Sequence, residues 1–280
     1  STTTAYLVGG TDTLKSPSLT ITAGKAEVAG TTTCAAATLI YHDDATLTGG
    51  LEVGTAAKSA TITTGSSLTV NKGNLVLGVA NNSVIGNGAI GDNALDTVVT
   101  ITKDDTNAAN TGKLSLGAAN STPTLTIKGG KTIVTADKLE MVDSGANASK
   151  FNTLTIDEKA TLNINGEGLT TITNDAAADS HIINLNGSTA NFAGGLALTK
   201  GKLNVNGATV ATTEKTSTLG VGTYDATNNV GGLRIGALNA TPSMNNQLTI
   251  TDATLEVRTS STSETIDGAV LLTDDNAAAI

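Results

Sequence analysis

The sequence predicts an all-β protein that folds as an irregular right-handed β-solenoid, or β-helix. Short segments alternate apolar and polar residues, as in Leu248-Thr249-Ile250-Thr251, which is the pattern of a strand with one buried face. The alternation resumes after a brief corner, at Leu255-Glu256-Val257, and this strand–corner–strand unit, the cassette, recurs along the chain. Only 2% of residues are aromatic and Thr is the commonest residue, so we expect a thin core of Val, Ile, Leu and Ala.

The cassettes recur at unequal intervals. The clearest copies begin at Leu19, Leu68, Leu125, Leu154, Leu196 and Leu248. Unequal spacing excludes a strict sequence repeat and indicates coils of roughly 20–30 residues that differ in their loops. The short step between the two strands favours a corner over a hairpin, with each strand pairing with the coils above and below. In the last cassette, Leu248, Ile250, Leu255 and Val257 are therefore expected to face the core.

Further short strands are expected between the cassettes, at residues 46–53, 98–101, 113–116, 182–187, 233–235 and 270–272. Residues 35–41 have the composition of a strand or of a short helical insertion. Residues 78–97, rich in Gly, Asn and Asp, are expected to form a loop between coils. The alternative fold is a pair of β-sandwich domains in tandem, although many strands here are shorter than the usual sandwich strand of about five or six residues.

Composition and charge exclude several functions. The 280-residue chain has a net charge of −9 and few aromatics, so nucleic-acid binding is not expected. Its apolar stretches are too short to span a bilayer, so membrane insertion is not expected either. Cys34 is the single cysteine, which rules out a disulfide within the chain. Because the chain begins at Ser1 and not at Met, we expect that an export signal has been removed or that this is a fragment.

Two segments carry a resemblance to a known group of proteins. The pattern Leu-Thr-Ile-x-x-x-Ala-Thr-Leu-Asn-Ile-Asn-Gly at residues 154–166 and Lys-Gly-Lys-Leu-Asn-Val-Asn-Gly at 200–207 resemble the β-helical passenger regions of bacterial autotransporters and rickettsial-type surface antigens. The likeness is one of composition over most of the chain. It implies a right-handed β-helix that is exported and displayed at the cell surface as an adhesin or a surface layer.

Candidate sites for chemistry are few, and no catalytic or cofactor-binding residue is predicted. The acidic pairs are Asp43 with Asp44, Asp104 with Asp105, Asp157 with Glu158, and Asp274 with Asp275. Such pairs can serve as acid and base or bind Ca²⁺, but the turn preference of Asp favours solvated turns. Residues 9–14 and 91–96 match half of a calcium-binding nonapeptide without forming tandem copies, so a calcium roll is not expected. A structural Ca²⁺ in an Asp-rich loop stays open, with its ligands unknown.

The two histidines, His42 and His181, lack the partners that a metal site needs. His42 lies near Cys34 in sequence, but no third group orients the pair for nucleophilic catalysis, so surface histidines and a buried free cysteine are expected. Polysaccharide-cleaving β-helices generally need clustered charges and aromatic platforms. The chain is therefore predicted not to be an enzyme, and a carbohydrate-binding or carbohydrate-cleaving β-helix is the alternative.

Thr-x-Thr segments suggest a second alternative. They include residues 20–22, 46–48, 61–63, 124–126, 153–155, 171–173 and 249–251, in each of which the middle residue is Leu or Ile. Threonines that stack in ranks on a flat solenoid face can bind ice. The unequal cassette spacing instead favours threonine as an ordinary residue of solvent-facing strands.

The organisation and function expected from the sequence follow from these observations. Residues 1–18 are expected to form an N-terminal extension that can serve in assembly, residues 19–257 the β-solenoid, and residues 258–280 a C-terminal strand and tail. The expected function is that of a non-catalytic, extracellular, bacterial structural protein: a self-assembling subunit of a surface fibre or layer, or an adhesin passenger with a host or cell-surface receptor. Because solenoid ends present unpaired strand edges, self-association through the terminal segments is expected.

Overall fold

The computed structural model describes the parts of the chain that form strands and many of the corners between them. These are residues 8–9, 13–14, 18–21, 27–29, 32–34, 38–41, 45–48, 51–53, 60–62, 67–71, 73–77, 83–86, 97–103, 105–106, 108, 111–117, 122–142, 151–174, 180–207, 216–223, 225, 227–228, 230–235, 247–251, 253–259 and 270–272. Within these residues the protein is all-β and contains no helix, which confirms the predicted fold class.

The strands are short and follow one another closely. In chain order they are β1 (Val8–Gly9), β2 (Thr13–Leu14), β3 (Ser18–Ile21), β4 (Glu27–Ala29), β5 (Thr32–Cys34), β6 (Thr38–Tyr41), β7 (Ala45–Thr48), β8 (Leu51–Val53), β9 (Ala60–Ile62), β10 (Ser67–Asn71), β11 (Leu75–Leu77), β12 (Ser83–Ile85), β13 (Thr97–Ile101), β14 (Lys113–Leu116), β15 (Thr124–Lys128), β16 (Thr132–Ala136), β17 (Lys138–Met141), β18 (Thr153–Asp157), β19 (Thr161–Ile164), β20 (Thr170–Ile172), β21 (His181–Asn186), β22 (Thr189–Phe192), β23 (Leu196–Leu198), β24 (Gly201–Asn206), β25 (Thr216–Val221), β26 (Leu233–Ile235), β27 (Gln247–Thr251), β28 (Thr254–Arg258) and β29 (Val270–Leu272).

Each strand pairs in parallel with the strand three places along the chain, which is the connectivity of a solenoid with three strands per coil. The ten-stranded face runs from β1 to β28, and the nine-stranded face runs from β3 to β27. The third face, which we call the divided face, consists of a six-stranded sheet from β2 to β17 and a four-stranded sheet from β20 to β29. This parallel stacking is not the antiparallel pairing of the sandwich alternative. The right hand of the coil stays a prediction.

The core is a set of apolar stacks, one residue from each coil. On the nine-stranded face, Ile127, Ile156, Leu185 and Val205 pair in register and are buried. A matching stack on the ten-stranded face contains Val99, Val134, Leu162, Ala190 and Leu219. Because neighbouring strands lie about 4.8 Å apart, each coil adds one layer to a continuous core. Val, Ile and Leu can fill such layers with little help from aromatic rings.

Coils of different length share this cross-section. Val28 pairs with Leu47, 19 residues further on, whereas Leu219 pairs with Val257, 38 residues further on. The range is wider than the roughly 20–30 residues predicted. Loops absorb the difference, because the register of the inward stacks is kept from coil to coil.

The cassettes are corners, as predicted, but they do not all lie at the same corner. β27 and β28 of the last cassette belong to different faces and pair with β24 and β25 of the preceding coil. The cassettes beginning at Leu19, Leu125, Leu154 and Leu248 join the nine-stranded to the ten-stranded face. The cassette at Leu68 leaves the ten-stranded face, and that at Leu196 leaves the divided face. The unequal intervals therefore arise partly from comparing different corners.

Two local expectations need correction, and one alternative is decided. Residues 78–97 are not all loop, because Ser83–Ile85 form β12 and pair with β9 and β15. Within residues 35–41, the strand alternative is right for Thr38–Tyr41. Ile250 was expected in the core, but 47% of it is exposed because no described strand lies above β27.

Candidate functional site

The Thr-x-Thr segments align in only one place among the described coils. Thr124 and Thr126 pair with Thr153 and Thr155 on the nine-stranded face. The next coil places Ile182 and Asn184 in these positions, and the preceding coil places Val84 beside Thr126. On the ten-stranded face a single rank of threonines continues over four coils, Thr46, Thr69, Thr100 and Thr135, but the positions two residues earlier in the last three of these coils hold Ser67, Val98 and Ile133. An ice-binding face needs threonine ranks side by side, so this register supplies no basis for one.

Asparagines replace threonines in later coils and form hydrogen-bonded ladders along the solenoid. On the nine-stranded face, Asn204 Nδ2 donates to Asn184 Oδ1 at 3.0 Å, and Asn184 Nδ2 donates to Thr155 Oγ1 at 3.1 Å. On the ten-stranded face, Asn191 Nδ2 donates to Asn163 Oδ1 at 2.8 Å. These side chains bond to one another from coil to coil, so the ladders brace the outer faces.

Asp157 and Glu158, one of the predicted acidic pairs, form a tight corner between β18 and β19. The Glu158 amide donates to Asp157 Oδ1 at 3.0 Å, and Glu158 has a φ of 52°. Burial raises the pKa of Asp157, and hydrogen bonds from the Glu158 amide and the Asn186 side chain offset part of this rise. Burial and then the charge of Asp157 raise the pKa of Glu158. Asp157 and Glu158 thus form part of a corner that joins two strands. Among all the described residues, no group of three acidic, His or Cys side chains is placed to hold a metal ion.

His181 is a buried structural residue and not the surface histidine that was expected. It is fully buried, and its Nδ1 accepts a hydrogen bond from the Asn152 amide at 2.9 Å. Asn152 in turn donates through Nδ2 to the carbonyls of Leu116 and Val142, at 2.9 and 2.8 Å. This cluster ties three successive coils together at one corner.

The other sequence candidates lie mainly outside the described residues. These are His42, Asp43, Asp44, Asp104, Asp274 and Asp275, the side chain of Cys34, and most of segments 9–14 and 91–96. Asp105 is described, is exposed and forms an ion pair with Lys103 at 3.1 Å.

A groove of about 760 Å³ opens where the divided face is interrupted, and we call it the corner groove. Its origin is a difference in corner length between three successive coils. Residues 102–112 connect β13 to β14 and residues 165–169 connect β19 to β20, whereas Asp137 alone connects β16 to β17. The two longer connections form walls, and the single-residue corner between them forms the floor.

The floor is held rigidly to both walls. The Asp137 amide donates to Gly112 O at 2.9 Å, and Asp137 Oδ2 accepts from the Lys103 amide at 3.0 Å. From the other wall, the Gly166 amide donates to Asp137 O at 3.0 Å. Gly112 has a φ of +66°, and a Cβ on it would lie 2.6 Å from Asp137 Oδ2, so only glycine lets the carboxylate approach.

The lining of the groove mixes charged, polar and apolar groups. Polar side chains come from Asp137, Lys138, Asn165, Glu167 and Thr171, with Lys103 on one wall, and the apolar ones are Ala108, Leu139 and Leu169. The pKa of Lys103 is raised by its hydrogen bond and ion pair with Asp105, and further by the charges of Asp137 and Glu167. Carboxylates therefore surround this ammonium from both walls.

Reasoning from the sequence did not find this groove. Lys103, Asp137 and Glu167 are about thirty residues apart, and none belongs to a recognisable motif. The single signal was the uninterrupted run of strand-like residues at 132–141, which leaves room for only a one-residue corner.

No helix long and apolar enough to cross a membrane occurs among the residues described. Comparison with protein-family models, with curated proteins and with solved structures finds no match for this chain.

Proposed function

We propose that this chain is a non-catalytic structural protein of the bacterial cell surface, whose copies assemble end to end into a fibre or layer. The observation that carries the proposal is the open edge of the last coil. β27 and β28 pair with the preceding coil on one side, and no described strand pairs with their other edge. Unpaired edges are templates for strand addition.

The side chains of the last coil support this view. Ile250 is 47% exposed, although Val205, its register partner one coil earlier, is fully buried. Leu248 and Val257 are only partly buried, whereas their partners Leu203 and Leu219 are fully buried. A further coil stacked on this edge would remove all three from water, and burial of apolar surface is favourable by about 25 cal/mol per Å².

The first coil of a second copy is the occupant we propose. β1, β2 and β3 lie at the opposite ends of the three faces from β28, β29 and β27. Because every pair of strands in the ladders is parallel, the edge of β27 can continue onto a β3 as each coil continues onto the next. β1 and β2 come from residues 1–18 and β29 from residues 258–280, the segments expected to serve in assembly. Such head-to-tail contacts do not close, so they generate filaments.

The cellular setting is part of the same proposal. The Thr-, Gly- and Asn-rich composition and the resemblance to autotransporter passengers support export and display at the surface. An adhesin passenger that contacts a host or cell-surface receptor along its length is a variant of this role, because a solenoid offers long lateral faces.

The test compares two exposed isoleucines. Ile250→Lys places a charge on the open edge, and Ile133→Lys places the same charge on the outer surface of the ten-stranded face, where Ile133 is 41% exposed. We expect the unmodified chain and Ile133→Lys to form concentration-dependent filaments in sedimentation and electron microscopy, and Ile250→Lys to remain monomeric. A monomeric unmodified chain, or equal loss of assembly in both variants, would contradict the proposal.

A further inference from the structure

We propose that the corner groove is a binding site for a neutral oligosaccharide. This inference goes beyond end-to-end assembly and does not depend on it, since the groove lies on the side of the solenoid. Its volume of about 760 Å³ falls within the range of roughly 300–1,000 Å³ typical of small-molecule sites.

The groove is built before any ligand arrives. Asp137 is fixed by its bonds to Gly112, Lys103 and Gly166, and the Asn165 amide donates to Ala136 O at 2.9 Å. The connection at 102–112 is closed on itself by a bridge between Lys103 and Thr111, and the Thr111 amide donates to Asn74 Oδ1 at 3.1 Å. Rigid walls reduce the entropy that a ligand must overcome on binding.

The charges in the groove argue against an anion and against a metal ion. The lining carries two carboxylates, Asp137 and Glu167, against two ammonium groups, Lys103 and Lys138, and Lys103 is already paired with Asp105, so an anion finds no excess of positive charge. Asp137 Oδ2 is engaged by the Lys103 amide, and no set of three metal-ligating side chains forms in the described residues.

The shape and the remaining side chains argue against a peptide strand and against an aromatic ligand. β17 and β20 contact each other, whereas an inserted strand needs about 4.8 Å on each side. The described residues that line the groove include no aromatic side chain, so a flat ring would find no stacking partner among them.

A neutral oligosaccharide is the ligand class that fits the polar and apolar side chains of the groove. Sugar hydroxyls both donate and accept hydrogen bonds. They can therefore pair with the carboxylates of Asp137 and Glu167, the side-chain amide of Asn165 and the hydroxyl of Thr171. Leu139 and Leu169 can contact the apolar C–H faces of the sugar rings. Because no aromatic platform is present, we expect dissociation constants in the millimolar range.

Saturation-transfer NMR tests the proposal with four neutral trisaccharides (maltotriose, cellotriose, triacetylchitotriose and mannotriose), with trigalacturonate as the anionic probe and with trilysine as the cationic one. We expect transfer to at least one neutral trisaccharide and weaker transfer to both charged probes. Glu167→Ala should weaken that binding about tenfold, because it removes a hydrogen bond to a charged group. Thr171→Ala should weaken it less. Both residues are exposed, so neither change should disturb folding.

The controls keep the same chemistry on other faces. Glu256→Ala removes an exposed acid from the ten-stranded face, and Lys202→Ala a lysine from the nine-stranded face, and both should leave binding unchanged. The proposal fails if no neutral trisaccharide receives transfer at tens of millimolar, if a charged probe binds more tightly, or if the groove variants bind as well as the controls.

Discussion

Single side chains at the corners explain how a chain without disulfides keeps its coils in register. Asn152 and His181 are fully buried polar residues, and their hydrogen bonds reach the backbone of Leu116 and Val142. A buried amide that donates to two carbonyls rigidifies a corner, because a buried carbonyl left unpaired costs about 1–3 kcal/mol. Leu116 O also accepts from the Val142 amide at 2.8 Å, so the cost of losing Asn152 falls mainly on the Val142 carbonyl. His181 therefore helps to hold the corner through its Nδ1.

The carboxylates at the β18–β19 corner make stability depend on pH. Burial raises the pKa of both Asp157 and Glu158, so the folded chain favours their protonated forms. Ionisation of these carboxyls therefore lowers the free energy of unfolding. This loss is absent below the ordinary carboxyl pKa and grows as pH rises from the ordinary pKa to the raised pKa. We predict that Glu158→Gln increases the free energy of unfolding at neutral pH, and that this gain disappears in acid. Urea titrations at several pH values measure it.

Asp225 supplies a control of opposite sign. Its carboxylate accepts hydrogen bonds from the Asn228 side chain and from the Thr227 amide, which lower its pKa. Its stabilising effect is present above the ordinary carboxyl pKa and is lost as pH falls through the lowered value. Asp225→Asn should therefore reduce stability at neutral pH and matter less in acid. A gain from Glu158→Gln that persists unchanged in acid would exclude burial of charge as its cause.

The corner between β18 and β19 is one residue shorter than the same corner one coil earlier. Asp157 and Thr161 are four residues apart, whereas their register partners Lys128 and Ile133 are five residues apart. This shorter corner contains two successive non-glycine residues with positive φ, Glu158 at 52° and Lys159 at 65°. That conformation costs an ordinary residue about 1–2 kcal/mol, and the surrounding backbone bonds, including Lys159 N to Gly187 O at 3.0 Å, hold it.

This strain gives a prediction about a single corner. Lys159→Gly should raise the free energy of unfolding by about 0.5–1 kcal/mol, because relief of the left-handed strain exceeds the added flexibility of the unfolded chain. Lys131→Gly, at the same corner one coil earlier and without positive φ, should lower it. Thermal unfolding of both variants makes the comparison. Destabilisation by Lys159→Gly would show that the side chain contributes more than the backbone strain costs.

The solenoid as a body behaves as a one-dimensional stack, in which each coil is supported by its two neighbours. Leu162 is fully buried between Val134 and Ala190, whereas Ile250 contacts a coil on one side only. Ile250→Asp should therefore affect the last coil alone.

Hydrogen exchange can test this difference between the middle and the end. Leu162→Ala should cost about 2–5 kcal/mol and reduce protection in the coils on both sides. Ile250→Ala should lower protection only in β27 and β28. Loss of protection confined to β19 in the Leu162 variant would show that the coils unfold independently.

Periodicity alone determined the class of fold, the corners and most inward-facing residues, because side chains of a strand alternate whatever lies around them. It could not assign each cassette to a face, place β12, bury His181 or create the corner groove. These features depend on the number of residues in each coil, because that number decides which residues of successive coils, about thirty positions apart in the chain, pair with each other. Local patterns carry no information on that register. Packing of successive coils brings Lys103, Asp137 and Glu167 together and leaves Ile250 at an open edge.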